Sequence, residues 1–199
     1  MTRAASERIH RFAIEWAAAH GRRKVSCVHK ANLLRQSDGL FLQTFREVAQ
    51  EMEKDAPVPL ITDDVHVDAV AALMVTHPGE VDVLVTPNLY GDILSDLAAG
   101  LVGGLGFAPS ACLGERNALF EPVHGSAPAI AGQGIANPVA CMLSAAMMLE
   151  HLGNASAATR LEAAVVGVLE AGHCTADAGG ELSTLAFADE VKRLVENDV

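Results

Sequence analysis

The sequence has 199 residues, of which 50% are hydrophobic and 20% charged, and its mean hydropathy is +0.25. This balance excludes an intrinsically disordered chain and predicts one domain, or two small ones, with a sizeable core. Acidic residues outnumber basic residues by 25 to 14, which gives a formal net charge of -11. That charge argues against a nucleic acid or an anionic membrane as partner, whereas a divalent cation would suit it.

The cysteines and the apolar segments indicate the cellular compartment of the chain. Cys27, Cys112, Cys141 and Cys174 form neither a C-x-x-C pair nor a zinc spacing, so we expect free thiols in a reducing compartment. The first eight residues lack the apolar stretch of a secretory signal. No stretch reaches the roughly 18 uncharged apolar residues of a membrane span. We therefore expect a cytoplasmic chain without a membrane partner.

Hydrophobic periodicity predicts alternating helices and strands in the first half of the chain. The elements predicted there are, in order, a helix ending at Gly21, a strand over 24–29, a helix over 38–52, a break at 56–59, a short strand over 60–62 and a helix over 67–76. The first helix is predicted to turn an apolar face inward, formed by Ile9, Phe12, Ala13, Trp16 and Ala17.

The second half is predicted to begin with the strongest strand pattern of the sequence, at residues 81–86. The elements that follow are a helix over 92–101, a loop region around 119–134, and helices over 138–152, 156–171 and 187–196. Strands alternating with helices predict an α/β fold with some parallel pairing. Because the strands are few for a doubly wound sheet, we expect the fold to be part of a larger one or to be completed by a partner.

Two aspartates, Asp92 and Asp96, lie four residues apart in a segment predicted to be helical. That spacing places both carboxylates on one face, where they repel each other unless a cation or water separates them. Hard oxygen ligands of this kind suit Mg²⁺ or Mn²⁺. The alternative is a solvated helix start, because acidic residues there interact favourably with the helix dipole.

Lys30 and Asn32 follow the strand predicted at residues 24–29, and the two-residue period of a strand turns them to the same side. Burial can lower the pKa of such a lysine and make it a base, whereas an exposed lysine at a strand end has no such role. Asp68 lies at the start of a predicted helix, where an acidic side chain by itself indicates only a favourable dipole interaction.

The loop after residue 120 combines residue types that suit ligand binding. His124 can stack on a ligand or form a hydrogen bond with it, and Gly125 permits close approach of the backbone. Asn137 precedes Pro138 at a predicted helix start, which is also an ordinary N-cap position. The glycines at 100, 103, 104 and 106 do not form G-x-G-x-x-G and follow a helix, so they indicate no Rossmann site.

Short motifs at characteristic spacings run along nearly the whole chain. They are Ser-Glu-Arg-Ile at 6–9, His-Lys-Ala-Asn at 29–32, Thr-Pro-Asn-Leu-Tyr-Gly-Asp-Ile-Leu-Ser-Asp-Leu at 86–97, Gly-Gly-Leu-Gly at 103–106, His-Gly-Ser-Ala-Pro at 124–128, Gly-Ile-Ala-Asn-Pro at 134–138, Asp-Ala-Gly-Gly at 177–180 and Ser-Thr at 183–184. In this order and spacing they resemble the isocitrate and isopropylmalate dehydrogenase family, the metal-dependent β-decarboxylating dehydrogenases.

The resemblance implies roles for the matching residues. Lys30 matches the catalytic lysine that reaches the substrate hydroxyl and takes part in removing its proton, and Asn32 matches a residue near the substrate. Asp68 matches a catalytic, metal-binding aspartate that, like the lysine, serves the active site of the other subunit. Asp92 and Asp96 match the metal ligands of the same subunit. The implied dinucleotide-binding residues are Glu121, His124, Gly125, Ser126, Ala127, Pro128 and Asn137.

The resemblance also implies a three-layer α/β fold. Residues 1–80 would belong to its small dimerisation and substrate domain, and residues 81–199 to the C-terminal part of its large cofactor domain. The implied reaction is the NAD-dependent oxidative decarboxylation of a small 2-hydroxy acid, in a homodimer with shared active sites and with Mg²⁺ or Mn²⁺. Isocitrate is favoured, with homoisocitrate or 3-isopropylmalate next, because Asn-Leu-Tyr at 88–90 and the glycines at 103–106 are closer to the isocitrate and homoisocitrate enzymes.

Two departures qualify these expectations. The match begins near the middle of a family member, so we expect only the C-terminal half of the fold, without the substrate-clamping arginines and the acid tyrosine. An inactive remnant, or an interaction or regulatory subunit, is therefore the alternative function. The position after the His-Gly-Ser-Ala-Pro motif is Ala129 rather than an acid, yet no Lys or Arg lies between Arg116 and Arg160 to bind a 2′-phosphate. We therefore expect NAD to be preferred over NADP.

Overall fold

The computed structural model describes residues 1–54 and 60–197, so the predicted break at residues 56–59 lies outside the described residues. Its helices are α1 (Arg3–Ala19), α2 (Ser37–Glu53), α3 (Val67–Thr76), α4 (Asn88–Leu101), α5 (Val139–His151), α6 (Ala155–Glu170) and α7 (Thr184–Asn197). Its strands are β1 (Lys24–His29), β2 (Ile61–His66), β3 (Val83–Val85), β4 (Pro109–Leu113) and β5 (Ala118–Pro122). Short 3₁₀ turns occur at Pro78–Glu80, Leu105–Phe107 and Ala176–Ala178.

The chain divides into two compact units, one over Met1–Ala98 and one from Ala99 onward. The assignment of residues 1–80 and 81–199 to a substrate domain and a cofactor domain stays a prediction. Among the described residues, no helix has the length and apolar character needed to cross a membrane.

The first unit contains a parallel sheet in the order β2-β1-β3. In β1, Val25, Cys27 and Val28 are fully buried, and the polar Ser26 and His29 are buried with them, as expected for a central strand covered on both faces. Burial raises the pKa of the Cys27 thiol well above its ordinary value. The predicted α/β class with parallel pairing is confirmed.

Helices α1 and α2 pack against each other and against this sheet. The predicted inner face of α1 is partly wrong, because Ile9 and Phe12 are 41% and 40% exposed, whereas Ile14 is buried. The buried face is rotated toward His10, whose ring packs between the rings of Phe41 and Phe45 at centroid distances of 4.3 and 5.4 Å. Contact with the aromatic side chains of α2 therefore sets the orientation of α1, and that contact is invisible in the periodicity of α1 itself.

His10 is fully buried, and neither ring nitrogen has a hydrogen-bond partner in the structure. Burial lowers the pKa of His10 to about 4, because the charged imidazolium would lose its hydration. The ring is therefore neutral at physiological pH.

The second unit contains an antiparallel hairpin of β4 and β5, covered by α5. Helices α5, α6 and α7 bury Val139, Val165, Val168, Phe187 and Val191 in one cluster. The prediction of a loop around residues 119–134 is wrong at its start, because residues 119–122 belong to β5, which ends at Pro122. The two strands have five residues each, too short for a strong sequence signal, and a tight turn joins them, in which Gly114 N–H donates to Asn117 O at 2.9 Å.

Several element bounds also differ from the prediction. Strand β2 runs to His66 rather than ending at residue 62, and β3 is limited to three residues. Helix α4 begins at Asn88, before the predicted start at residue 92. Helix α6 is capped by Asn154, whose side chain accepts from Ala157 N–H, so its first turn begins one residue before Ser156.

Candidate functional site

The sheet of the first unit places several candidate residues at one edge. Parallel strands share the direction of their carboxyl ends, and ligands of open α/β sheets bind beyond those ends. Lys30 follows β1 directly, and Asp68 lies in the first turn of α3, which follows β2. Helix α4, which carries Asp92 and Asp96, begins three residues after β3. Candidates that are far apart in the sequence therefore follow three adjacent strand ends.

Lys30 and Asp68 form an ion pair, in which Lys30 Nζ donates to Asp68 Oδ1. The Lys30 side chain is largely buried, at 20% exposure, whereas that of Asp68 is 67% exposed. The hydrogen bond from Lys30, together with a backbone hydrogen bond, holds the pKa of Asp68 below its usual value. The structure therefore brings the two predicted catalytic residues together within one chain.

Asn32, the other predicted substrate-binding residue, lies exposed in the turn after β1. The turn is closed by hydrogen bonds from Leu33 N–H and Leu34 N–H to Lys30 O, both at 2.9 Å. Asn32 therefore follows Lys30 at the same edge of the sheet, on a short closed turn.

A polar network around the buried His29, which the sequence analysis missed, supports this turn. His29 is 3% exposed, and its Nδ1 accepts from Ala31 N–H at 3.1 Å. Its Nε2 donates to Asp64 at 3.2 Å, and Arg46 donates to the other oxygen of Asp64 at 2.8 Å. Partial burial raises the pKa of Asp64, but the hydrogen bonds from Arg46 and His29 outweigh it and hold that pKa below its usual value.

Asp38 is a second residue that the sequence analysis took only for a helix start. It is 3% exposed, and its carboxylate accepts from Lys30 N–H at 2.8 Å and from the Tyr90 hydroxyl at 2.9 Å. An acidic residue in the first turn of a helix is so common that its sequence context gives no signal for this contact.

Asp92 and Asp96 are exposed on α4, and Leu94 between them is buried in the core of the first unit. Asp92 Oδ2 accepts from Asn88 Nδ2 at 2.9 Å. These carboxylates fit Mg²⁺ or Mn²⁺ by donor type. Over residues 1–54 and 60–197 of a single chain, no group of three or more His, Cys, Asp or Glu side chains could hold a metal ion. Asp68 is therefore not gathered with Asp92 and Asp96 within one chain.

The predicted dinucleotide-binding residues all lie in the second unit. Glu121 is exposed on β5, and the loop that follows has exposed residues at Gly125, Ser126, Ala127 and Pro128. His124 Nδ1 donates to Gly125 O at 3.0 Å. Ala127 adopts a φ of 43°, a left-handed conformation that non-glycine residues rarely take.

The end of this loop is fixed by a later segment of the chain. Asn137 Nδ2 donates to Asp177 at 3.0 Å, and Asn137 Oδ1 accepts from Val139 N–H at 3.0 Å. Thr184 Oγ1 donates to Ala136 O at 2.5 Å. A Cβ at position 106 would lie 2.9 Å from the Cβ of Asn137, so this packing requires glycine there. The glycine, asparagine and aspartate motifs of the sequence thus meet at one point.

The chain was compared with known proteins. Residues 1–191 match the family described as "Isocitrate/isopropylmalate dehydrogenase". The chain is 51% identical over 196 residues to the 3-isopropylmalate dehydrogenase of Archaeoglobus fulgidus, covering 98% of this chain and 59% of that relative. It is 54% identical over 191 residues to the isocitrate/homoisocitrate dehydrogenase of Thermus thermophilus, covering 96% of this chain and 56% of the relative.

A solved structure agrees with these relatives. The crystal structure of isocitrate dehydrogenase from Methylococcus capsulatus has a TM-score of 0.93 and 49% sequence identity, covering 98% of this chain and 57% of that one. Fold and relatives thus agree on an α/β protein related to dehydrogenases. The chain belongs to the isocitrate/isopropylmalate dehydrogenase family. It spans between half and two thirds of the length of the relatives it matches, and the expected fold class is confirmed.

Proposed function

We propose that this chain provides the lysine, the metal ligands and the dinucleotide loop of an enzyme that oxidises and decarboxylates a 2-hydroxy acid with NAD. The observation that carries the proposal is the Lys30–Asp68 ion pair at the carboxyl edge of the parallel sheet. The relatives are named for 3-isopropylmalate and for isocitrate and homoisocitrate. Among these substrates we favour isocitrate, with homoisocitrate and 3-isopropylmalate next, because Tyr90 follows Asn-Leu in the motif at the start of α4.

The chemistry that we propose for Lys30 is a proton transfer. A bound dinucleotide would accept the hydride from the carbon that bears the substrate hydroxyl. Lys30 would first release to solvent the proton that it carries in the ion pair with Asp68, and its neutral amine would then accept the hydroxyl proton. The Asp68 carboxylate orients the amine through their hydrogen bond and neutralises the ammonium that results. Asn32, on the adjoining turn, contacts the substrate.

Asp92 and Asp96, with Asp68 of a second chain, would hold Mg²⁺ or Mn²⁺. When bound, the metal supplies positive charge that stabilises the negative charge developing on the substrate oxygens. Asp68 must come from a second chain in this proposal, because one chain does not gather the three carboxylates within its described residues.

The proposed assembly is a homodimer with shared active sites. Exposed apolar side chains support it, since Leu89 and Ile93 on α4 are 65% and 59% exposed, and Val75 on α3 is 57% exposed. Large apolar side chains at that exposure favour association with another surface. Leu89 and Ile93 lie within three residues of Asp92, and Val75 lies on the same helix as Asp68, so an interface there would place the carboxylates of two chains at one boundary.

The nucleotide that we propose is NAD. Ala129 follows the His-Gly-Ser-Ala-Pro motif and offers no carboxylate for a ribose hydroxyl, but no Lys or Arg lies between Arg116 and Arg160. An unpaired 2′-phosphate dianion costs more free energy than an unpaired hydroxyl. The preference for NAD over NADP is therefore expected to be modest.

The metal site is tested by calorimetry with Mn²⁺. We expect Asp96→Asn to weaken Mn²⁺ binding by about tenfold or more, because a neutral amide replaces a charged ligand. Asp63→Asn is the matched control, since Asp63 lies on the edge strand β2 and pairs with Lys24 rather than with the proposed metal ligands. Equal Mn²⁺ binding by the unsubstituted chain and Asp96→Asn would contradict the assignment.

The activity is tested in a chimera. The segment of the Thermus thermophilus relative that the match leaves uncovered is joined to the N-terminus of this chain, and NADH formation is measured with Mn²⁺. We expect turnover with isocitrate to exceed turnover with 3-isopropylmalate. A folded dimeric chimera that turns over none of the three acids would instead favour the alternative function, an inactive interaction or regulatory subunit.

A further inference from the structure

Asp38 carries a buried negative charge that is stabilised by hydrogen bonds alone. Its side chain is 3% exposed, and no ion pair with a Lys, Arg or His side chain is present at Asp38 in the described part of the chain. Three groups donate to its carboxylate, namely Lys30 N–H at 2.8 Å, the Tyr90 hydroxyl at 2.9 Å and the Ser37 hydroxyl at 3.0 Å. Burial of a carboxylate costs free energy unless such donors are present, so the Asp38 carboxylate holds each of these three donors in place.

The donors come from separate parts of the first unit. Lys30 N–H belongs to the turn after β1, and the next amide, that of Ala31, is bound by His29 Nδ1. Tyr90 lies in the first turn of α4, two residues before Asp92. One carboxylate therefore connects the backbone that carries Lys30 to the helix that carries Asp92.

We propose that Asp38 is a positioning residue that fixes the backbone of Lys30 relative to the first turn of α4 through Tyr90. Its catalytic meaning rests on the proposed function, in which Lys30 moves the proton in one active site of the dimer and the metal ligands on α4 of the same chain serve the other. Asp38 touches neither the reacting atoms nor the metal in this role. It acts through Lys30 and Tyr90.

The first experiment measures the Tyr90–Asp38 contact in the full 199-residue chain. Tyr90 is the single tyrosine of the sequence, so the intensity ratio of the tyrosine bands in the Raman spectrum, which depends on whether the hydroxyl donates a strong hydrogen bond, reports on it alone. We expect the ratio of a strong donor, and that of a weaker donor in Asp38→Asn, because an amide is a weaker acceptor than a carboxylate. The same ratio in both proteins would overturn the proposal.

The second experiment tests whether the contact reaches Lys30. Tyr90→Phe removes one oxygen from α4, and Ser37→Ala removes a different donor to the same carboxylate. We expect exchange of the Lys30 amide proton, followed by NMR, to become about tenfold faster in Tyr90→Phe, the scale of one lost hydrogen bond to a charged group. Ser37→Ala should stay within about twofold of the unsubstituted chain. Equal rates in the two variants would overturn the proposal.

The third experiment uses the chimera described above. Tyr90→Phe should lower kcat by about tenfold and leave the KM for NAD unchanged, whereas Ser37→Ala should change neither. A rise in the KM for NAD without a change in kcat would contradict a positioning role for Asp38. If the unsubstituted chimera is inactive, the proposed function fails, while the Raman ratio and the exchange rates still decide whether Asp38 positions Lys30.

Discussion

In the first unit, buried polar and charged side chains fix the backbone around Lys30. In the second unit, the residues at 125–128 are exposed, and the loop that contains them is anchored further along the chain, at Asn137. Asp38 and His29 accept from two consecutive amides at Lys30 and Ala31. In the second unit, the anchor is the contact of Asn137 with Asp177. Under the proposed function, the first arrangement would be preorganised for chemistry, and the second would let the exposed loop adjust to a nucleotide. Substitutions should therefore lower kcat in the first unit and raise the KM for NAD in the second.

The largest effect that we predict is at Lys30. In the chimera, Lys30→Met should lower kcat by ~10²–10⁴-fold, because it removes the group that accepts the substrate proton. Lys24→Met is the matched control, since Lys24 lies at the start of β1, the strand that Lys30 follows, and pairs with Asp63 at 3.2 Å. The measurement is kcat from steady-state rates with isocitrate, compared between the two variants and the unsubstituted chimera. A loss of less than tenfold in Lys30→Met would contradict the role given to Lys30.

The next prediction concerns acid stability, to which the buried His10 contributes in the first unit. The pKa of His10 is lowered to about 4 in the folded chain, against about 6.5 in an unfolded chain. The unfolded state therefore binds the proton first, and stability falls as the pH drops from about 6.5 to about 4. By linkage the loss reaches up to about 3 kcal/mol.

Urea unfolding at pH 7 and pH 4 tests this contribution. His10→Leu should lose less stability over that interval than the unsubstituted chain, because it has no imidazole to protonate. His77→Gln serves as the control, since His77 is exposed on the surface. The same pH dependence in His10→Leu and the unsubstituted chain would show that His10 is accessible to protons in the folded state.

A smaller effect is predicted for the anchor of the second unit. Asp177→Ala should raise the KM for NAD by about tenfold and leave kcat within about twofold, since it frees the Asn137 side chain. Thr175→Val removes only the hydroxyl that donates to the other oxygen of Asp177 at 2.6 Å, so its effect should be weaker. If Asp177→Ala lowers kcat and spares the KM, the contrast between the two units is wrong.

The smallest predicted effect is on nucleotide choice. Ala129→Asp adds a carboxylate that can accept from the ribose 2′-hydroxyl and repels a 2′-phosphate. We expect the ratio of kcat/KM for NAD to that for NADP to rise by about three- to tenfold, the scale of one hydrogen bond. Ala129→Asn controls for side-chain size without the charge. No difference between the two variants would remove the electrostatic explanation.

The sequence predicts those parts of the fold that depend on local patterns. Strand β1 and helix α3 have the predicted bounds, because a short segment rich in apolar residues and a helical segment followed by Pro78 are both local signals. The inner face of α1 is not local, since it follows from the packing of His10 on Phe41 and Phe45. The hairpin of β4 and β5 likewise depends on its cover by α5.

The candidate site shows the same division. The resemblance of motifs pointed to Lys30 and Asp68, and the structure places them in one ion pair. Asp38 could not be predicted, because its partners Lys30 and Tyr90 lie 8 and 52 residues away along the chain. A buried carboxylate is recognised by the donors that surround it, and tertiary structure alone assembles those donors.

Because Cys27 is buried in the central strand, the reactivity of its thiol reports on opening of the first unit. Alkylation and oxidation require a thiolate, and burial raises the pKa of Cys27 so far that the folded chain offers almost none. Cys112 and Cys141 are exposed in the second unit and are open to reagents without unfolding. The rate at which iodoacetamide modifies Cys27 therefore measures how often the sheet that precedes Lys30 opens. Bound substrate and metal would stabilise that sheet and would lower the modification rate.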